Sequence, residues 1–234
     1  MSGMDVLSQE ERIQIIGAIV GRNNMRTTVR LTGVPRNRIK SLLMKLGPAC
    51  AQYQHHTLRQ LAPSALEWRE AFVFRAKAGN TVASYEYSHT TGSVWTLACL
   101  DQRTKLVPSW RIGPRNPNTM QRLRADVVQR YAAAATGASV SSGYAEDSEI
   151  LLHVCPDWFA TLDHGLARKV ERHAAVMALY FLYYNFALVH PELGTTPAMA
   201  AGKATYVWRA SEILELIDPP ATIRCTDESA PRQE

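Results

Sequence analysis

Thr32-Gly33-Val34-Pro35 interrupts two helical patterns, and this short turn constrains the fold of the chain more than any other feature. Glycine accepts the left-handed backbone that a tight helix stop requires, and proline fits the first position of the helix that follows. Upstream, Ser8-Gln-Glu-Glu11 has the spacing of a capping box, and Ile13, Ile16 and Val20 repeat at helical period before Gly21. A second helix is expected from about Met25 to Leu31, with Met25 and Val29 buried. A third is expected from Pro35 to about Leu46, interrupted at Gly47-Pro48, with a further helical segment from Ala49 to Gln60. Helix, helix, glycine-containing turn, helix is the order of a helix-turn-helix unit.

Charge singles out the same segment. Up to Gln60 the chain has nine Lys/Arg and three Asp/Glu, a net +6, whereas the whole chain is +5 and the remainder is −1. A polyanion would therefore be met in the first quarter. On the third helix Ile39, Leu42, Leu43 and Leu46 share one side. Asn37, Lys40, Ser41 and Met44 share the other, flanked by Arg36, Arg38 and Lys45. Packing explains the first side. The second offers an amide, a hydroxyl and cations, the groups that contact base edges and phosphates, so Arg36, Asn37, Arg38, Lys40, Ser41 and Lys45 are the expected DNA-binding residues. A small bundle serving protein contact is the alternative reading.

Beyond Ala62-Pro63-Ser64, which reads as a linker, the texture changes to strands at Phe72–Phe74, Val94–Leu100 and Lys105–Ile112, the last two a hairpin turning at Asp101–Thr104. A helix capped near Thr119 and running to Ala135, a fourth strand at Ala138–Ser142, and a long apolar helix from Leu166 to Val189 follow. A Thr-Thr-Pro loop then leads into a short helix by Gly202, and an amphipathic turn spans Ser211–Ile217. The aromatic residues of the long helix (Tyr180, Phe181, Tyr183, Tyr184, Phe186) read as core. The expected fold class is α+β, an all-α amino-terminal unit at 1–61 followed by a mixed core at 65–217, with a disordered tail at 218–234. The longest apolar run is broken around Tyr183–Asn185, short of a membrane span, and no secretory leader is visible, so a cytoplasmic location is expected. Cys50, Cys99, Cys155 and Cys225 form no metal or disulfide pattern.

Several motifs in order resemble transposases of the insertion-sequence-one family: Thr27–Val34, Leu42–Cys50, Val94-Trp-Thr with Asp101 and Thr104–Trp110, and Lys169-Val-Glu-Arg-His173 with Ala178–Phe181, Tyr184–Phe186, His190 and Thr196–Gly202. The resemblance implies a ribonuclease-H-like core with a DDE site, in which carboxylates hold two divalent ions, with Mg²⁺ expected, for DNA strand transfer. At the first family aspartate this chain has Glu67. At the second it reads Ser141-Ser142-Gly143, with Glu146 and Asp147 several residues later. The third falls in a segment shortened around 143–165, and Glu171 matches a later, non-catalytic glutamate. Asp101 corresponds to a structural turn aspartate.

The resemblance therefore implies a double-stranded-DNA-binding protein that recognises element ends, lacks strand transfer, needs no cofactor, and pairs with itself or an intact transposase. The alternative is a residually active Mg²⁺-dependent nuclease or transposase using Glu67 (or Glu70), Asp147 and Glu171.

Overall fold

In a computed structural model of the chain, the structure describes residues 7–21, 23–62, 64–76, 92–131 and 170–218. The expected fourth strand at Ala138–Ser142, Asp147, the shortened segment and the tail after Asp218 lie outside the described residues.

The first helix, α1 (Gln9–Val20), begins as the sequence dictates: the Ser8 hydroxyl accepts from the Glu11 N–H, and the Glu11 carboxylate accepts from the Ser8 N–H at 2.7 Å. The second, α2 (Met25–Thr32), is capped by the Asn24 side chain and stops at Gly33, whose φ of 68° is left-handed. It buries Met25 and Thr28 completely, while Val29 is only half-buried. Thr28 can be buried because its hydroxyl donates to the Asn24 carbonyl at 3.0 Å, so no polar atom is stranded.

The third helix, α3, runs without interruption from Arg36 to Thr57, with Pro48 inside it. The expected stop at Gly47-Pro48 does not occur. Proline removes one helical N–H bond, which isolated helices tolerate poorly, but here tertiary packing dominates. Gly47 lies so close to the long carboxy-terminal helix, α5 (Val170–Phe186), that a Cβ placed on it would sit 2.4 Å from the Ala175 Cα. The glycine is where two backbones cross.

Three antiparallel strands in the order β1–β2–β3 form the sheet: β1 (Leu66–Ala76), β2 (Gly92–Asp101) and β3 (Ser109–Gly113). Trp68 pairs with Cys99 and Ala98 with Trp110; the β1–β2 register shifts between Phe72 and Phe74. The returning strand starts four residues later than its apolar pattern suggests. Lys105 takes a positive φ of 55°, and the Leu106-Val107 stretch drops into the core, where Val107 bonds to Asn185 of α5 instead of β2.

A further helix, α4 (Pro117–Val128), is capped by the Asn116 side chain, which accepts from the Thr119 N–H at 2.9 Å. It ends well before the expected Ala135, and Tyr131 instead bridges to Leu61. Two short helices, α6 (Pro197–Ala200) and α7 (Ala210–Glu215), complete the described chain.

The sheet lies between two helical layers. Trp68, Leu97 and Cys99 meet Met120, Leu123 and Val127 of α4 on one face. On the other, Val94, Ala98 and Ile112 join a larger cluster that runs through α5 into Ile39, Leu42, Leu43 and Leu46 of α3 and Ile15, Ile16 and Ile19 of α1. The described architecture is mixed α+β, and the apolar cluster is continuous across the Ala62-Pro63-Ser64 stretch. Among the described residues no helix is long and apolar enough to cross a membrane.

Candidate functional site

The core and the basic face occupy opposite sides of α3. Ile39, Leu42, Leu43 and Leu46 are all buried, whereas Arg36, Asn37, Ser41, Met44 and Lys45 are exposed and Arg38 and Lys40 half-buried. The division follows from helical period: once the apolar positions face α5 and α1, the intervening positions have nowhere to go but outward. The left-handed Gly33 sets the start of this helix against α2, and the Asn37 side chain accepts from the Arg38 N–H at 3.1 Å, closing the first turn. All six expected DNA-binding residues thus lie within ten consecutive positions of one helix, with no acidic residue among them.

The carboxylates behave differently. Glu67 lies on β1 opposite Leu100, and its carboxylate ion-pairs with the buried guanidinium of Arg69, two residues along the same face. Glu171 occupies the first turn of α5, half-buried. Two residues later, His173 bonds to the Thr96 hydroxyl at 2.9 Å. Thr96 and Leu100 are four residues apart on β2, so His173 meets the sheet roughly 13 Å of strand away from the residue opposite Glu67. Asp147 lies outside the described residues, as does the side chain of Glu70. Among the described residues no three His, Cys, Asp or Glu side chains converge where a metal ion could be held.

Three polar side chains to which the sequence analysis gave no role of their own, His173, Gln54 and Asn185, organise the interior. His173 is fully buried, and loss of hydration pushes its pKa down to about 3, so the ring is neutral at physiological pH. Gln54 and Asn185 form a closed network. The Gln54 amide donates to the Cys50 and Ala178 carbonyls at 3.1 Å. Asn185 donates to Gln54 Oε1 at 3.3 Å and to the Val107 carbonyl at 2.9 Å, and accepts from the Val107 N–H at 3.0 Å. The sequence held one signal for this network: polar amides set within otherwise apolar helical stretches. Asp101 terminates β2 as a turn residue, accepting from the Arg103 and Thr104 N–H groups, the Ser64 hydroxyl and the Tyr131 hydroxyl. Cys50 and Cys99 are buried free thiols, and burial pushes both well above the ordinary thiol range, which is the opposite of an activated nucleophile. No protein-family model, curated protein or solved structure matches the chain.

Proposed function

We propose that the chain is a DNA-binding protein of transposase descent. In this reading α1–α3 act as a helix-turn-helix unit, and a ribonuclease-H-like remnant supports it without strand transfer. The observation that carries the reading is the two-sided character of α3. Its buried side belongs to the core, while its outer side gathers Arg36, Asn37, Arg38, Lys40, Ser41 and Lys45 with no acidic residue, in the quarter of the chain that holds all of the net positive charge. Guanidinium and ammonium groups at helical spacing match the phosphates of a duplex, and Asn37 and Ser41 supply groups able to contact base edges between them. The pairing of Glu67 with Arg69 supports the second half of the reading, because a carboxylate neutralised by a buried guanidinium is a poor metal ligand. Element ends are the expected duplex, with a second copy or an intact transposase as protein partner.

The test is binding of the purified chain to element-end and random duplexes with and without Mg²⁺, read as both retention and nicking. If about six phosphates are contacted, affinity falls about a thousandfold or more between roughly 50 and 200 mM salt. Lys45→Gln should weaken binding on every sequence, and Asn37→Ala should weaken it preferentially on the cognate one. Salt-insensitive binding, or Mg²⁺-dependent nicking abolished by Glu67→Gln, would overturn the proposal.

A further inference from the structure

The exposed stripe of α3 continues past its basic first half. Asn37, Ser41, Met44, Pro48, Gln52 and His55 succeed one another at spacings of three or four, and all are exposed. From Asn37 to His55 the stripe covers about 27 Å at 1.5 Å per residue, close to eight base-pair steps of about 3.4 Å. At its far end Gln52 and His55 form one wall of an open cleft of about 420 Å³, whose other walls come from β3 and α4.

Arg111, Arg122 and Arg130 line this cleft, and Asp126 is the acidic residue among the described lining. Asp126 is already engaged: it accepts from the Ser109 hydroxyl and from Arg130 Nε at 2.8 Å. Arg130 also donates to the Gln54 and Leu58 carbonyls at the end of α3 and lies 3.3 Å from His55 Nδ1, so it is buried and fixed in place. Arg59 stands behind the wall, donating to the His55 carbonyl at 2.8 Å, with its guanidinium 2.7 Å from the ring Nε2. Among the lining residues three guanidinium groups thus stand against one carboxylate. The pKa of the His55 imidazole is held below its ordinary value by lost hydration and then by the charges of Arg59 and Arg130, against a weaker opposing pull from Asp126 and a further push from His56. A cleft with an open mouth, lined by the exposed Arg122 and by Arg111 over the fixed, buried charge of Arg130, suits a phosphate group.

We propose that this cleft is a phosphate subsite, occupied by the phosphodiester backbone of a duplex whose near end lies against Arg36–Lys45. The proposal rests on the DNA-binding reading above and extends its footprint from six residues of α3 to the junction of α3, β3 and α4. A phosphodiester and a free phosphate present the same chemistry here, so the experiment separates them.

The whole chain is titrated with duplex DNA at two salt concentrations, as wild type and as Arg122→Gln, Arg111→Gln and Lys45→Gln, with melting curves as the folding control. In parallel, inorganic phosphate is titrated while the His55 ring resonances are followed by NMR. Each lost phosphate contact should flatten the salt response, so that the affinity lost between about 50 and 200 mM salt shrinks by about three- to fourfold. Arg122→Gln is the decisive variant, because its side chain is exposed on α4 and its removal leaves the core untouched.

If Lys45→Gln flattens the response while Arg122→Gln and Arg111→Gln retain the wild-type slope, the subsite is overturned and the DNA-binding reading stands. If the wild type binds no DNA, that reading fails, and the phosphate arm decides the subsite alone. A His55 shift lost in Arg122→Gln then supports a free-phosphate site, and no shift ends the proposal.

Discussion

Gly47 is where the basic helix meets the rest of the molecule, and Gly47→Ala has an expected sign opposite to that of the usual helical substitution. In an exposed helix interior, alanine for glycine stabilises by roughly 1 kcal/mol, because glycine has more backbone freedom to lose. Here the new methyl would lie 2.4 Å from the Ala175 Cα and 3.0 Å from its carbonyl oxygen. Backbone atoms cannot rotate out of the way, so α3 and α5 must separate by something over an ångström along their crossing. Overpacking of this kind typically costs about 1–3 kcal/mol, and loosening the contacts around Leu43, Leu46 and Ala178 adds to it. The net expectation is a loss of about 2 kcal/mol, or some 4–8 °C in melting temperature for a chain of this size. Urea denaturation followed by far-UV circular dichroism measures it, with an unchanged slope showing that the same surface unfolds. Ala175→Gly should not rescue the variant, because the nearest obstacle is the α5 backbone. A Gly47→Ala protein more stable than wild type by about 1 kcal/mol would refute the crossing and would mean that residues 1–61 fold apart from α5.

Three further outcomes follow from the interior. His173 is neutral when folded, with a pKa near 3 against an unfolded value of about 6.5, so unfolding takes up a proton between these values. Stability should be full above about pH 6.5 and fall progressively towards pH 3, by on the order of 5 kcal/mol in all, whereas His173→Gln should flatten that limb of the curve. Asn185→Leu strands the Val107 N–H and carbonyl together with Gln54 Oε1, and should cost roughly 3 kcal/mol in chemical denaturation, far more than Gln52→Leu on the exposed side of α3. Asp126 carries a lowered pKa, because the hydrogen bonds from Ser109 and Arg130 and the charges of Arg130 and Arg111 outweigh its partial burial. Its stabilisation is therefore present above the unfolded carboxylate pKa and lost as pH falls through the lower folded one; Asp126→Asn should remove that acid-side component.

Legibility in the sequence divides by range. The caps at Ser8 and Gly33 and the buried face Ile39-Leu42-Leu43-Leu46 were readable because each depends on neighbours a few residues away. The uninterrupted α3 was not readable, since Gly47-Pro48 is locally a helix stop and only the crossing with α5 gives the glycine another purpose. The late start of β3 was hidden for the same reason: Lys105–Pro108 looks like strand, and the Asn185 amide that draws Val107 away lies 78 residues off. Of the candidate site, the outward placement of Asn37, Ser41 and Lys45 followed from periodicity. The cleft did not, because Arg111, Arg122 and Arg130 look like scattered surface charges until β3 and α4 bring them beside His55.

The two sides of α3 answer to different pressures, and this separates function from stability in a testable way. Substitutions at Ile39, Leu42, Leu43 or Leu46 remove apolar volume from a cluster shared by α1, α3 and α5, at about 2–5 kcal/mol for a truncation to alanine. Any loss of DNA binding in such variants would reflect unfolding. Asn37, Ser41 and Lys45 lie in solvent, where exposed substitutions usually change stability by no more than about 0.5 kcal/mol. If the outer side exists to meet a polyanion, Asn37→Ala and Lys45→Gln should abolish or weaken binding while their melting curves overlay the wild type. If the outer side is only a solvated surface, these variants should bind and melt as the wild type does, and the concentration of positive charge in the first quarter would need a different explanation.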